Sequence, residues 1–356
     1  MKKIFLDLSF IKKRKVTGIQ RFALSFVENL KFKNNIYYIL VPKNLKLDLK
    51  KSNVKILYCT NNVYINIFIA NLYLFFLKVD YFFIFGFPLY FFKKNLKYIR
   101  ILHDDTIFSR RSYFHSFKND FILFFFEKFW IKRYFKIITV SNYSKNKIKK
   151  YFKEKNILVL YNCLSSKLLR YKKKINLNNK FKKQILLCVG TINERKNYEF
   201  ALNIHDRLFK FIDKFKLIIV GKYGYNYNKF NHVLKKTKNK SSIKILNNTS
   251  DKKLSNLYKS ASILLVPSKE EGFCIPFIEA QFFKTPVIAN NLGIFQEIGN
   301  ESFIPLKLNL KVWTEEIIDI FSNKKKYFKL CEKSHKNSIR YLFNNPDKIV
   351  DEICKS

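Results

Sequence analysis

The sequence has few acidic residues. Of its 356 residues, 26 are Asp or Glu and 69 are Lys or Arg, so the formal net charge is +43 at pH 7. This charge predicts attraction to an anionic partner, such as nucleic acid or the anionic inner leaflet of a membrane. Compositional bias explains it equally well, because the lysines are spread along the chain beside many Asn, Ile, Phe and Tyr residues. Both interpretations stay open.

The aromatic and basic residues do not form the pattern with which single-strand RNA-binding proteins read bases. Nucleic acid is therefore not an expected partner. Of the two anionic partners, we expect peripheral contact with an anionic membrane surface.

The cysteines are scattered and form no CxxC pair. They are Cys59, Cys163, Cys188, Cys274, Cys331 and Cys354. This spacing argues against a zinc site and against a disulfide framework, and it is typical of reduced thiols in a cytosolic protein. We expect a cytoplasmic location, with peripheral association at the inner face of the cytoplasmic membrane left open.

The sequence also lacks an apolar run of the roughly 20 residues that a membrane-spanning helix needs. The run Val63–Leu77 is largely apolar but is followed by Lys78 and Asp80. The segment Phe121–Tyr134 mixes aromatic and basic residues. It predicts either a helix in a membrane interface or a core helix of the first domain.

Short apolar runs rich in Ile, Val, Phe and Tyr recur along the chain, with helix-like stretches between them. Continuous apolarity fits strands that are covered on both faces of a parallel sheet. The predicted strands are Lys3–Leu8, Ile36–Val41, Val54–Tyr58, Tyr81–Phe85, Tyr98–Leu102, Ile137–Val140, Ile157–Leu160, Ile185–Val189, Leu217–Val220, Ile243–Leu246, Ile263–Val266 and Val287–Ala289. The alternation predicts an α/β fold of two doubly wound, Rossmann-like domains that face a cleft.

The length also argues for two domains. The lysine-rich segment Leu168–Lys183 lacks periodicity and is the best candidate for a linker. We therefore expect an N-terminal domain over residues 1–167 and a C-terminal domain over residues 168–335.

The stretch 267–280 predicts a binding site. An apolar run leads into it, Gly272 lets the backbone turn, and Pro276 suits the first position of a following helix. Free N–H groups at a helix start favour an anion such as phosphate. Glu271 in the loop and Glu279 in the first helical turn would repel that anion unless they bind something else. Sugar hydroxyl groups are the natural candidate, because carboxylates accept hydrogen bonds from them well.

This pattern resembles the sugar-nucleotide site of glycosyltransferase family four, the retaining transferases with two Rossmann-like domains and GT-B architecture. The motifs that carry the resemblance are Thr17–Arg21, His103–Asp104, Thr139–Ser144, Cys188–Asn197, Ser250–Tyr258, Pro267–Ala280 and Thr285–Ala289. Of these, Thr17–Arg21 and the segment Gly190–Asn197 look most like those of mannosyl- or rhamnosyl-type transferases of O-antigen and capsule assembly. The resemblance also implies that a C-terminal helix, at about residues 336–356, packs back on the first domain.

The resemblance implies four catalytic residues. It places Arg195 and Lys196 on the donor diphosphate, where fixed positive charge stabilises the leaving group in place of a metal ion. It places Glu271 on the donor sugar near the reacting carbon, and His103 on the same sugar from the first domain.

The resemblance assigns further residues to donor binding. Glu279 holds the ribose hydroxyl groups, Gly190 forms the turn after a strand, and Gly18 faces the diphosphate from the N-terminal domain. The loop residues Gly272, Phe273 and Cys274 lie beside the donor. The family often has a second glycine at the position of Cys274, so this chain adds a side chain there. No metal and no cofactor are expected.

The resemblance implies transfer of a hexose from a nucleotide sugar, preferably a GDP-sugar, to a glycan or lipid-linked oligosaccharide with retention of configuration. No nucleophile emerges from the sequence, which favours same-face substitution assisted by the leaving phosphate. A sugar-nucleotide epimerase would need an acid–base pair that converges on the sugar, and a phosphorylase would need a lysine that holds its cofactor. The sequence shows neither feature. A non-catalytic basic protein that binds membrane or nucleic acid explains the charge but not the ordered motifs.

Overall fold

The computed structural model describes residues 1–12, 17–49, 51–109, 117–152, 155–171 and 175–355, and only the backbone of residues 117–123. The described residues form two compact units. One runs from Met1 to Cys163 and resumes at Phe343, and the other runs from Leu164 to Leu342. The units meet at residues 163–164 and 342–343, where the sequence analysis expected boundaries at residues 167–168 and 335–336. The Leu164 amide donates to the Tyr341 carbonyl at 2.8 Å, which joins the start of the second unit to its end.

The first unit is built on a seven-stranded parallel sheet. Its strands are β1 (Lys2–Asp7), β2 (Asn35–Pro42), β3 (Val54–Cys59), β4 (Tyr81–Ile84), β5 (Lys97–Leu102), β6 (Tyr134–Thr139) and β7 (Ile157–Val159). They lie in the order β3-β2-β1-β4-β5-β6-β7. All residues of β4 are buried, which explains why this strand reads as a continuous apolar run.

The second unit is built on a six-stranded parallel sheet. Its strands are β8 (Ile185–Val189), β9 (Lys216–Val220), β10 (Ile243–Leu246), β11 (Ile263–Val266), β12 (Val287–Asn290) and β13 (Ile304–Leu306). They lie in the order β10-β9-β8-β11-β12-β13, the doubly wound order of Rossmann-like folds. The order reverses between β8 and β11, so this point is the topological switch of the sheet.

Helices connect the strands in both units. In chain order they are α1 (Gly18–Asn29), α2 (Val63–Phe76), α3 (Phe117–Trp130), α4 (Asn142–Lys149), α5 (Ser166–Leu169), α6 (Leu177–Lys182), α7 (Tyr198–Leu208), α8 (Asn228–Lys236), α9 (Asp251–Ser260), α10 (Ile275–Phe282), α11 (Gly293–Gly299), α12 (Leu310–Ser322), α13 (Lys324–Ser338) and α14 (Pro346–Lys355). Helix α14 lies on the first unit, where the Lys31 amide donates to both carboxylate oxygens of Asp347 at 3.1 Å.

The predicted α/β fold class is confirmed, and every strand predicted from the sequence is present. Strand β13 was not predicted. It is short, carries Pro305 at its centre and pairs with β12 at the sheet edge. A proline removes a ladder donor and is confined to such edge strands, so a run that contains one gives only a weak strand signal.

The predicted linker is wrong, because its described part belongs to the second unit. Lys180 in α6 is buried, and its ammonium donates to the carbonyl oxygens of Tyr258 (2.8 Å) and Phe283 (2.7 Å) and to the Thr285 hydroxyl (2.6 Å). A lysine is buried only where acceptors compensate for its lost hydration. These acceptors are distant in sequence, so residue order did not reveal them.

No helix in the described part of the chain is long and apolar enough to cross a membrane. The apolar run Val63–Leu77 folds as helix α2 of 14 residues. At 1.5 Å per residue this helix is about 21 Å long, shorter than the roughly 30 Å hydrocarbon core of a bilayer.

Candidate functional site

The candidate site lies at the topological switch of the second sheet. Strands β8 and β11 are parallel neighbours there, so the loops that follow Val189 and Val266 leave the same edge of the sheet. Ligands of open α/β sheets bind outside the carboxyl ends of strands at such a point. The side-chain amide of Asn197 ties the two loops together by donating to the Pro267 carbonyl at 3.1 Å.

Gly190 forms the turn after β8 for two reasons. Its φ of +145° is one that side chains rarely adopt, and a Cβ there would lie 2.9 Å from Cε of Lys196. Gly221 at the end of β9 supports the same turn, because a Cβ there would lie 1.8 Å from the Gly190 carbonyl oxygen. Gly221 was not singled out from the sequence, although a glycine directly after an apolar strand is the available signal.

Arg195, Lys196 and Glu271 converge in one ion cluster. The Arg195 guanidinium lies 2.6 Å from Oε2 of Glu271, and the Lys196 ammonium lies 2.5 Å from Oε1. The Ser268 hydroxyl donates to Oε1 at 2.9 Å. The three charged side chains are only 5–11% exposed. The structure thus brings together three of the four predicted catalytic residues in a cluster with net positive charge.

The cluster sets the protonation state of Glu271. Burial alone would raise the pKa of this carboxyl group. The charges of Arg195 and Lys196 and their hydrogen bonds outweigh burial and lower the pKa to about 2. Glu271 is therefore an anion across the neutral range and can only accept hydrogen bonds.

Glu279 is buried and is held by a residue from another helix. The Tyr258 hydroxyl in α9 donates to Oε2 of Glu279 at 2.8 Å. The buried Lys180 in turn binds the Tyr258 carbonyl. Tyr258 was quoted within a matching motif but was not assigned this role. Glu279 lies in the second turn of α10 and Pro276 in its second position, so the predicted first turn and first position are wrong by one step.

The backbone conformation at Cys274 explains why the related family often has a glycine at this position. This residue precedes α10 with φ +73° and ψ +73°, a left-handed conformation that glycine adopts without strain. Burial raises the pKa of the Cys274 thiol to about 12, so the thiol is neutral. Phe273 is buried with its ring edge-on to Tyr341 at 5.7 Å, and Gly272 is buried beside it.

His103 lies in the first unit, directly after β5. Its carbonyl accepts a hydrogen bond from the Ser144 hydroxyl at 3.0 Å, and its ring packs edge-on against Phe22 at 5.1 Å. Nε2 is buried and has no hydrogen-bond partner among the described residues. Burial, reinforced by the Arg100 charge, lowers the pKa of the imidazole to about 3. A neutral ring with one unused nitrogen suits contact with a hydroxyl group.

Gly18 is the first residue of α1. Thr17 and Gln20 form a capping box on either side of it, and among the described residues, its chain neighbours and own helix backbone aside, a Cβ at Gly18 would meet no atom within 4 Å. The described residues therefore give no steric reason for a glycine here. The contacts of Gly18 and His103 with a donor stay predictions, as does metal independence. The described residues contain no group of three His, Cys, Asp or Glu side chains that could hold a metal.

Replacing His103 by glutamine is expected to make the fold less sensitive to acid. The folded protein keeps the imidazole neutral, whereas the unfolded chain takes up a proton below about pH 6.5. The unfolded state therefore binds more protons between pH 6.5 and about 3, and stability falls as pH falls, by up to roughly 1.4 kcal/mol per pH unit. Urea unfolding at pH 7.5 and 4.5 measures the difference. The exposed His232→Gln control should behave like wild type. An unchanged acid dependence in His103→Gln would refute the conclusion that the folded protein keeps the His103 imidazole neutral.

Comparisons with known proteins find a family match within the second unit. Residues 170–340 match the family described as "Glycosyl transferases group 1". Over 116 residues the chain is 34% identical to the serotype-specific mannosyltransferase WbdA of Escherichia coli. This match covers 32% of this chain and 14% of WbdA. Over 178 residues it is 31% identical to the O-antigen chain mannosyltransferase RfbU of Salmonella typhimurium. This match covers 49% of this chain and 47% of RfbU. The matches thus span less than half the length of these relatives.

The fold also matches solved structures over the full length of the chain. The structure of Anabaena HepE, in complex with UDP and glucose, superimposes with a TM-score of 0.70 at 13% identity and covers 100% of this chain and 98% of HepE. At this identity the match establishes the fold alone. The chain therefore carries a glycosyl transferases group 1 domain at residues 170–340, on the two Rossmann-like domains of the GT-B fold.

Proposed function

We propose that the chain transfers a hexose from a nucleoside-diphosphate sugar to a glycan or lipid-linked oligosaccharide, with retention of anomeric configuration. The observation that carries the proposal is the buried cluster in which Arg195 and Lys196 meet Glu271 at the switch of the sheet. Negative charge grows on the diphosphate as the glycosidic bond breaks. Two cations already in position stabilise that charge without reorganisation.

Glu271 and Glu279 bind the two ends of the donor in this proposal. Once a diphosphate takes up the charge of Arg195 and Lys196, the Glu271 carboxylate is available to accept hydrogen bonds from the sugar. Glu279, oriented by Tyr258, accepts from the ribose hydroxyl groups. His103 and Gly18 contribute further donor contacts. No covalent intermediate is required if the leaving phosphate helps to deprotonate the acceptor, and positioning then supplies much of the rate.

A GDP-sugar is the proposed donor, and transfer needs no metal. The mannosyltransferase names of WbdA and RfbU support a hexose of surface glycans. The complex of HepE with UDP makes uridine the first competitor.

A thermal-shift series with GDP, UDP and dTDP tests the donor class, because a ligand that binds only the native state raises its melting temperature. We expect GDP to give the largest shift. Hydrolysis of the matching nucleotide sugar should survive a chelator and should be lost in Glu279→Ala. A protein that no nucleotide stabilises, but that binds nucleic acid in a salt-sensitive way, would instead be the basic binding protein.

A further inference from the structure

Helix α2 exposes apolar side chains instead of burying them. Phe68 is 60% exposed, and Phe75 and Phe76 are 75% and 76% exposed. The opposite face of the helix buries the polar Asn66, whose amide donates to the Ser9 carbonyl at 3.0 Å. This buried hydrogen bond fixes the rotation of the helix, so the exposed rings have no inward alternative.

The exposed rings continue beyond α2 into the segment 89–92. Phe91 is 78% exposed and Phe92 is 50% exposed. The Phe91 amide donates to Oδ1 of Asn71 in α2 at 2.7 Å, and the Asn71 amide donates to the Leu89 carbonyl at 3.3 Å. These bonds hold the segment alongside α2.

Helix α3 supplies the third part of this surface. It packs Trp130 into the core while Phe129 is 55% exposed. The Arg133 guanidinium lies 3.8 Å from the centroid of the Phe129 ring and 5.4 Å from that of Phe92. It therefore joins α3 to the segment 89–92. We call the resulting surface the aromatic patch, defined by Phe68, Phe75, Phe76, Phe91, Phe92 and Phe129.

The aromatic patch is large for a soluble surface. Each of its rings is at least half exposed, and an aromatic side chain carries roughly 150–250 Å². The patch therefore presents on the order of 800 Å², above the roughly 300–600 Å² of the largest patch on an ordinary monomer. Apolar surface of this extent marks an interaction site.

The surroundings of the aromatic patch are basic. The exposed cations in its three segments are Lys78, Lys93, Lys94, Lys128 and Lys132. The described side chains of residues 63–79, 87–97 and 124–133 include no exposed carboxylate. A second copy of this chain would bring two basic rims together, which is unfavourable. Anionic lipid headgroups pair with the lysines while the rings enter the acyl boundary.

We propose that the aromatic patch docks the first unit onto an anionic membrane surface, with α2 lying in the plane of the interface. The length of α2 supports lying in this plane, since it is too short to span. Aromatic rings are enriched at this depth of a bilayer. The proposal does not depend on the transfer activity.

Vesicle co-sedimentation tests the proposal with the full chain. Wild type should bind phosphatidylglycerol-containing vesicles and not pure phosphatidylcholine. The variant Phe68→Ser, Phe75→Ser, Phe91→Ser should bind at least about tenfold more weakly, since tenfold corresponds to only about 1.4 kcal/mol. Phe211→Ser is the matched control, because Phe211 is 61% exposed but lies in the second unit. Its binding should equal that of wild type.

Fluorescence separates insertion from charge attraction. The chain has 2 tryptophans, and Trp130 lies 6.1 Å from the Phe92 ring and 6.3 Å from the Phe129 ring. In the variant Trp313→Phe, brominated acyl chains should quench the fluorescence of Trp130.

Equal binding of the triple variant and wild type would show that charge alone attracts the protein. A wild-type dimer that the triple variant loses would assign the patch to a second copy. Either result, or no binding to anionic vesicles, overturns the proposal.

Discussion

Replacing Lys196 by methionine is expected to lower kcat/KM for transfer by about 10³-fold while the second unit stays folded. The Lys196 ammonium is a buried point charge in the cluster, and its loss leaves one cation to stabilise the departing diphosphate. The fold survives because methionine keeps an unbranched apolar stem next to Gly190, and Glu271 retains Arg195 and Ser268 as partners.

Steady-state kinetics with the donor identified by thermal shift measure this effect. An interaction that strengthens in the transition state should lower kcat more than it raises KM. Lys311→Met is the matched control, because it removes the same charge from a side chain that is 70% exposed. Its kinetics should equal those of wild type. A Lys196→Met enzyme with near wild-type kcat/KM would remove Lys196 from the catalytic machinery.

Replacing Glu271 by glutamine is expected to destabilise the ligand-free protein by about 3–5 kcal/mol, the usual effect of breaking a buried ion pair from one side. Arg195 and Lys196 would keep their charges without a carboxylate. A nucleoside diphosphate supplies the missing negative charge. It should therefore raise the melting temperature of Glu271→Gln more than that of wild type, although transfer itself is lost.

Urea unfolding with and without GDP or UDP measures both effects. Glu315→Gln is the matched control, because Glu315 pairs with Lys311 at 3.9 Å on an exposed surface, where such pairs contribute little. If Glu271→Gln folds only with nucleotide, purification with nucleotide present shows the same coupling. Wild-type stability without ligand, or a smaller nucleotide shift than in wild type, would show that the diphosphate does not replace this carboxylate.

Residue order alone was enough to place the strands and the charged members of the cluster. Parallel strands buried on both faces require continuous apolar runs, so a run such as Ile185–Val189 predicts a buried strand without further information. Arg195, Lys196 and Glu271 follow strands that end at one edge of one sheet. Since β8 and β11 are neighbours at the switch, reading them as consecutive βα units was sufficient.

The partners of these residues came from packing between distant segments. Tyr258 orients Glu279 and Lys180 binds the Tyr258 carbonyl, but neither contact leaves a periodic trace in the chain. Lys180 looked like one more solvated lysine because only three assembled acceptors make its burial favourable. Gly221 is needed because the Gly190 carbonyl, in the turn after a neighbouring strand, approaches it closely.

The same distinction applies to α2. Its sequence is largely apolar, and a helix without a polar face is ordinarily a buried one. Which face is buried depends on the hydrogen bond from Asn66 to the Ser9 carbonyl, a contact between segments far apart in sequence. Composition is a local property, whereas burial of one face is a property of the assembled unit. The exposed aromatic face therefore emerged only after the chain had folded.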